Sequence, residues 1–210
     1  MTAPPPVALA GVWRDTARRD RSSRCHELFP YAYQGRTVKL AAFEAIAAAL
    51  RDAGVRYLVA GGIAVNAHGY VRLTYDVDLV IQLKPGNIQP AFKALADLGY
   101  RPTVPVTADQ FADEAQRERW IREKGMQVLN FHSDLHRPFT VDVFVSEPFD
   151  FDTEYKAAMQ GELAPGLTVR FVSIPALIAM KQLANRPRDL DDIEHLRLIM
   201  GEKRRDEHGN

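Results

Sequence analysis

The segment TYDVDLVI, residues 74–81, most constrains how this chain can fold. Its apolar and β-branched content is typical of a buried strand, yet Asp76 and Asp78 interrupt it. Side chains alternate across a strand, so both carboxylates share one face with Arg72 and Thr74 just upstream. Two like charges held side by side resist burial, so the arrangement calls for a compensating partner. The opposite face, which is predicted to pack, carries Val71, Leu73, Tyr75, Val77 and Leu79.

A second apolar run, FTVDVFVS at residues 139–146, contains one carboxylate, Asp142, that points away from its neighbouring valines. If the two strands are neighbours in one sheet, Asp76, Asp78 and Asp142 converge on one spot. Mg²⁺ or Mn²⁺ prefers such oxygen ligands, usually a few carboxylates plus substrate phosphates, and relieves their repulsion. The three aspartates are therefore predicted to bind metal and to support phosphoryl transfer. The alternative for residues 74–81 is an ordinary edge strand, which would alternate in the same way.

The pair Gly61-Gly62 lies between a predicted strand, residues 55–60, and a short predicted helix that closes at Gly69. Glycine allows a ligand to approach the backbone closely, and the amides at a helix start bind phosphate. A lone glycine pair is more often a tight turn. Its position 14 residues before the aspartate pair strengthens the interpretation as a phosphate-binding loop.

The remaining pattern interleaves helices and strands, which predicts an α+β (α/β-like) domain: a mixed β-sheet core flanked by helices, with a helical C-terminal part. The predicted divisions are an N-terminal arm over 1–36, a core over 37–148 and a completing C-terminal part over 149–205. Other predicted helices cover 38–54, 88–98, 106–124, 175–185 and 190–200. A turn is predicted at 84–87, other strands at 126–132 and 167–172, and a frayed end at 201–210.

The composition argues against some classes of protein but does not identify the function. The 27 basic and 27 acidic residues cancel, so the overall charge gives no nucleic-acid footprint, although the arm carries a local excess of arginine. The single cysteine, Cys25, excludes an intrachain disulfide, and the chain is expected to be cytoplasmic. No apolar run approaches the ~18 residues that span a bilayer, so no membrane partner is expected.

The string VAGGIAVNAHGYVRLTYDVDLVI followed by VDVFV resembles the DNA polymerase β-like nucleotidyltransferase superfamily. The pattern of a glycine pair, an Arg-x-Thr-x-Asp-x-Asp strand and a later strand carboxylate is most similar to the bacterial AbiEii and MenT-type toxin nucleotidyltransferases. The segment SIPALIAMKQLANRPRDLDDIEHL extends this resemblance to the C-terminal helices, so that it spans roughly residues 40–200.

The resemblance implies a transferase that moves a nucleotide from a nucleoside triphosphate, such as ATP, to an acceptor hydroxyl and releases pyrophosphate. Implied acceptors are a tRNA 3′ end, a protein or a small molecule, and a cognate antitoxin is an implied partner. Two rival functions stay open: a non-catalytic relative that binds nucleotide or a partner protein, and a metal-dependent phosphohydrolase.

The resemblance also assigns site residues. It implies that Gly61 and Gly62 hold the triphosphate, with Arg72 and Thr74 at positions where the group has the same residue types. It implies that Asp76 and Asp78 are paired metal ligands, and that Asp142 is the third carboxylate, which ligates the metal or helps to activate the attacking hydroxyl. Lys181 is implied to contact nucleotide phosphates, and its place on a core-facing helix stripe independently favours function over snorkelling to solvent. Arg188 stands where the group has lysine.

Five weaker candidates receive structural interpretations. Asp189 is predicted to be the N-cap of the last helix, with Asp192 near its positive end. His68 is interpreted as a helix-terminus residue, and His132 and His136 as exposed polar residues. No nucleophilic-serine or P-loop motif is present.

Overall fold

A computed structural model of the chain describes residues 37–208, and the side chains of residues 41–201. The predicted arm over 1–36, including Cys25, lies outside the described residues. Seven strands form one sheet: β1 (Tyr57–Val59), β2 (Asp76–Ile81), β3 (Arg101–Pro102), β4 (Val128–His132), β5 (Thr140–Phe144), β6 (Met159–Ala164) and β7 (Leu167–Phe171). The helices are α1 (Thr37–Asp52), α2 (Gly61–His68), α3 (Pro85–Asp97), α4 (Ala108–Ala112), α5 (Glu114–Lys124), α6 (Phe151–Ala157), α7 (Ile174–Ala184) and α8 (Pro187–His208).

The strand order is β3-β4-β5-β2-β1-β7-β6, and the sheet is mixed. β2 runs parallel to β5, and β1 runs parallel to β7, whereas the other neighbours are antiparallel. With helices interspersed along the chain, this architecture confirms the predicted α+β class with a mixed sheet.

The topology brings several chain ends to one end of the sheet, where β2 and β5 begin. We call this end the sheet edge; it is distinct from the outer strands, β3 and β6. Since β1 is antiparallel to β2, the carboxyl end of β1 meets the amino end of β2, and α2 starts there. Since β7 is parallel to β1, α7 starts at the same edge, where Val172 donates its amide to Val59. The amino end of β5 lies beside that of β2. One edge thus collects two strand starts and two helix starts.

Helix α1 follows from its apolar periodicity. Phe43, Ile46, Ala47 and Leu50 form a buried stripe, as predicted, and Gly54 ends the segment with a φ of +66°. The side chain of Leu40, the fifth predicted member, lies outside the described set.

The single helix predicted over 106–124 is wrong, because Asp113 divides it into α4 and α5. Asp113 has an extended backbone, and its side chain accepts the amide of Gln116 to cap α5. The turn predicted at 84–87 is instead the start of α3, with Pro85 in its first turn. The end predicted to fray continues α8 as far as His208.

Strand β2 begins at Asp76, so the predicted packing face is only half correct. Val77 and Leu79 are buried, whereas Val71, Leu73 and Tyr75 are exposed. Residues 71–75 do alternate, but it is the polar members that face the protein. The reason is local: Asn66 bonds both backbone groups of Arg72, which holds this segment against α2 with its polar side inward.

Within residues 37–208, no helix is both long enough and apolar enough to cross a bilayer.

Candidate active site

The carboxylates predicted from two separate strands lie side by side. In the register of the parallel pair, Asp78 is opposite Asp142, and Asp76 is opposite Thr140. The edge-strand alternative for residues 74–81 is wrong, because β2 lies between β1 and β5 in the middle of the sheet. The structure therefore brings Asp76, Asp78 and Asp142 to one sheet edge, as the alternation of their strands predicted.

Crowding and burial act together on this cluster. Burial, then the charges of Asp142 and Asp76, raise the pKa of Asp78 to about 7, although the Lys181 charge and the Gly62 amide lower it. Burial raises the pKa of Asp142 as well, against a lowering hydrogen bond from Asn130 and a lowering charge from Arg186. The carboxylates are thus held in a state that costs free energy unless a cation or a proton joins them.

The glycine pair lies directly on these residues. Gly61 and Gly62 are the first two residues of α2 rather than a separate turn before it. A Cβ added to Gly61 would stand 1.8 Å from Oδ2 of Asp78, and Gly61 has a φ of +57°. A Cβ on Gly62 would stand 2.6 Å from Oγ1 of Thr74 and 2.9 Å from a guanidinium nitrogen of Arg72. Only glycine allows α2 to start this close to Asp78 and Thr74.

Arg72 and Lys181 converge on one acid, Asp192, which the sequence reading treated as part of a helix start. Arg72 donates from Nε at 2.6 Å and from NH2 at 2.7 Å to the two carboxylate oxygens. Lys181 Nζ lies 2.6 Å from Oδ2 of Asp192 and 3.2 Å from Oδ1 of Asp189. We call these four residues the α8 lock, because they tie α7 and the segment before β2 to α8.

The lock is almost dry. The side chain of Asp192 is 0% exposed, and those of Lys181 and Arg72 are 8% and 13% exposed. Burial alone would raise the pKa of Asp192, but hydrogen bonds and charges from Arg72 and Lys181 hold it below its usual range. The charges of two cations and two carboxylates balance within the lock. The charge of Lys181 also lowers the pKa of Asp78.

The remaining acids and histidines of the sequence reading fall into place. Asp189 is not the N-cap of α8, because the helix begins two residues earlier, and its side chain instead accepts the amide of Arg186. His68 is the last residue of α2, with Nε2 2.8 Å from the carbonyl oxygen of Val172. His132 is exposed, as predicted, but at the end of β4. His136 is half-buried rather than exposed, because it stacks on Tyr100.

Three neighbours of the site were missed. Asn130 Nδ2 lies 2.5 Å from Oδ1 of Asp142, and Thr140 Oγ1 lies 2.7 Å from Oδ1 of Asp76. Arg186 acts on Asp142 through its charge. For Asn130, the signal was available in VLNFH, where one amide interrupts an apolar strand between residues that are buried.

Across residues 37–208, no group of three or more Asp, Glu, His or Cys side chains is arranged to hold a metal ion. Asp76, Asp78 and Asp142 share one face of neighbouring strands but are not drawn together into a formed metal site, and their role as metal ligands stays a prediction.

The family model that matches this chain defines its class, a nucleotidyltransferase, with the mixed sheet and flanking helices that the resemblance implied. The chain belongs to the family of AbiEii nucleotidyl transferase toxins of type IV toxin–antitoxin systems, whose model matches residues 44–205. This confirms the resemblance found in the sequence. The search of curated proteins gave no match.

Solved structures share the fold at low sequence identity. The crystal structure of ANT(2″)-Ia in complex with adenylyl-2″-tobramycin is 15% identical, with a TM-score of 0.51 over 80% of this chain and 92% of that chain. The solution structure of the antibiotic-resistance factor ANT(2″)-Ia is 20% identical, with a TM-score of 0.49 over 79% and 84%. An antigenic nucleotidyltransferase-like protein from Paracoccidioides brasiliensis is 16% identical, with a TM-score of 0.42 over 76% of each chain.

Proposed function

We propose that this chain is a metal-dependent nucleotidyltransferase that moves a nucleoside monophosphate from a nucleoside triphosphate to an acceptor hydroxyl. The observation that carries the proposal is the placement of Asp76, Asp78 and Asp142 at one sheet edge, against the glycine start of α2. In the reaction, the acceptor oxygen forms a bond to the α-phosphorus. The bond from that phosphorus to the β-phosphate oxygen breaks, and pyrophosphate leaves.

The residues present fit Mg²⁺ or Mn²⁺. All three candidate ligands offer hard carboxylate oxygens, and the pKa of Asp78 is raised first by burial and then by the charges of Asp142 and Asp76, which a cation would compensate. Asp76 and Asp78, with Asp142, would hold the ion, and phosphate oxygens of the substrate would complete its ligand set. When bound, the ion would neutralise the phosphates and polarise the α-phosphorus.

The protein's own groups would bind and orient the substrates. The Gly61 amide at the start of α2, next to Thr74, would face the triphosphate, since a helix start binds anions, whereas the Gly62 amide already donates to Asp78. Lys181 would add positive charge beside the phosphates, with its position fixed by the α8 lock. Arg72 would contribute mainly by holding that lock, because Asp192 already occupies its guanidinium.

Asp142 is the candidate acceptor-side group. Its Oδ1 atom accepts the Asn130 amide, so Oδ2 is the oxygen that would either hold the ion or take the proton of the acceptor hydroxyl. The charge of Arg186 also acts on Asp142.

Membership in the AbiEii family supports two further parts of the proposal. The protein would act as a toxin, and a cognate antitoxin would be its partner. The acceptor would be a tRNA 3′ end, a protein hydroxyl or a small molecule. Adenylyl-tobramycin in the complex of ANT(2″)-Ia makes an aminoglycoside the small molecule to try first.

The test is incubation of the protein with each α-³²P-labelled nucleoside triphosphate, Mg²⁺ or Mn²⁺, and in turn total RNA, total protein and tobramycin. The Asp76→Ala and Asp78→Ala variants serve as controls. We expect label to move to one acceptor class with the wild type only, with pyrophosphate as the second product. Absence of transfer to every acceptor, or release of orthophosphate instead, would contradict the proposal.

A further inference from the structure

Two rows of polar side chains cross strands β4, β5 and β2 at the candidate site. The register pairs Asn130 of β4 with Asp142 of β5, and Asp142 with Asp78 of β2. The next row pairs His132 with Thr140, and Thr140 with Asp76. Each row therefore ends on one of the paired aspartates, and each contains a neutral residue that can donate a hydrogen bond.

Both neutral residues donate to a candidate metal ligand. Thr140 Oγ1 donates to Oδ1 of Asp76 at 2.7 Å, and Asn130 Nδ2 donates to Oδ1 of Asp142 at 2.5 Å. Each bond occupies one oxygen of its carboxylate and leaves the other oxygen unbonded by these donors. A neutral donor fixes the carboxylate without cancelling its charge, which a lysine or an arginine at the same position would do.

Asn130 has no evident reason to be in a strand other than this contact. Asparagine is depleted in strands, and the neighbouring residues Leu129 and Phe131 are fully buried. The side chain is half-buried on the face that carries Asp142.

We propose that Asn130 and Thr140 are positioning residues, which hold Asp142 and Asp76 in the orientation that presents one oxygen of each to a divalent cation. The inference rests on the proposed function for the identity of the ligands. It adds a second layer of residues, which neither the family membership nor the sequence motif assigns. Groups that orient metal ligands in this way typically contribute about 10–100-fold to metal affinity or activity.

Shape-preserving variants separate orientation from packing. Thr140→Val keeps the shape and removes the hydroxyl, whereas Thr140→Ser keeps the hydroxyl; Asn130→Leu keeps the approximate shape and removes the amide. Thr168→Val is the matched control, because Thr168 is an exposed threonine on β7, opposite Glu162 and away from the site.

The first measurement is the affinity for Mn²⁺ in the absence of nucleotide. The electron paramagnetic resonance signal of free Mn²⁺ reports how much of the ion is bound. We expect Thr140→Val and Asn130→Leu to bind Mn²⁺ at least about 10-fold more weakly than wild type. Thr140→Ser should stay within about 3-fold, and Thr168→Val should match wild type. At saturating Mg²⁺, kcat should fall by about 10-fold in Thr140→Val and Asn130→Leu, while KM for the nucleotide changes by less than about 3-fold.

A spectroscopic measurement tests the hydrogen bond without activity. The side-chain amide protons of Asn130 should resonate downfield, and Asp142→Asn should move them. If wild type transfers no nucleotide, the proposed function fails, but Mn²⁺ affinity and the amide signal still decide the positioning role. Wild-type values of Mn²⁺ affinity and kcat in both Thr140→Val and Asn130→Leu would overturn the inference. Equal losses of Mn²⁺ affinity in Thr140→Val and Thr140→Ser would overturn it as well.

Discussion

Two groups of charged side chains lie close together and are built on opposite principles. The carboxylate edge of β2 and β5 gathers three acids supported only by neutral donors and by charges at its margin. The α8 lock pairs two cations with two acids, nearly out of reach of solvent. The first group is left unbalanced, and the second is balanced.

The difference shows how each group relates to stability. An uncompensated carboxylate cluster destabilises the folded chain, so its presence indicates a ligand that completes it. The lock is fully paired, so removing one member would leave charges buried without partners. The rigid lock also fixes Lys181 beside the unbalanced edge, which links the structural group to the candidate chemistry.

The largest expected effect on stability comes from breaking the lock. Asp192→Ala leaves Arg72 and Lys181 buried without their shared acid, so the free energy of unfolding should fall by about 3–5 kcal/mol. Urea unfolding measures it. The control is Asp191→Ala at the adjacent, 51%-exposed position, which loses only a surface contact with Tyr70 and His195 and should cost less than about 1 kcal/mol. Equal costs in the two variants would show that the lock is not a special element.

The glycine start of α2 offers a sharper test of close approach. Gly61 and Gly54 have φ values of +57° and +66°, but an added Cβ meets Asp78 at Gly61 and nothing within 4 Å at Gly54. Gly54→Ala should cost about 1–2 kcal/mol from backbone strain alone. Gly61→Ala should cost at least about 1 kcal/mol more, because Asp78 must move. Thermal and urea unfolding compare them, and a Gly61→Ala cost no larger than that of Gly54→Ala would remove the close contact from the account.

The smallest of these effects, and the one opposite in sign, concerns the unbalanced edge. The pKa of Asp78 is raised from 3.8 to about 7, so between these pH values the folded chain holds a proton that the unfolded chain has released. The contribution of this group to stability is therefore fully present below about pH 4 and is lost as the pH rises through 7. Asp78→Asn does not titrate, so its stability relative to wild type should increase by about 1–3 kcal/mol between pH 4.5 and pH 8. Unfolding in EDTA at both pH values measures this. A difference that stays constant, or favours wild type at pH 8, would contradict the raised pKa.

The alternation of residues 74–81 was enough to predict that Asp76 and Asp78 share a face, because strand geometry dictates it, whereas the convergence with Asp142 also required β2 and β5 to be neighbours. It could not predict where β2 begins, since Val71, Leu73 and Tyr75 continue the same pattern into an irregular segment. That boundary depends on Asn66, which binds the backbone of Arg72 from a different element.

Other features depend on contacts between distant parts of the chain. β6 has the sequence MQGELA, in which three of six residues are polar or glycine, and it is an outermost strand that pairs with β7 alone. Asp192 reads as a favourable residue near a helix start, and only the fold places Arg72 and Lys181 on it. Lys181 was singled out because a lysine on a core-facing stripe needs a partner, and the structure supplies two.

The central claim is that the unbalanced carboxylate edge exists to transfer nucleotides with a divalent cation. The most direct measurement is the rate of Mg²⁺-dependent nucleotide transfer by wild type and Asp76→Asn, with the fold of the variant verified by its unfolding curve. We predict a folded variant with at least about a thousand-fold lower rate, the equivalent of several kcal/mol of lost charge stabilisation. Full activity in Asp76→Asn, or transfer by wild type that persists in EDTA, would contradict the claim.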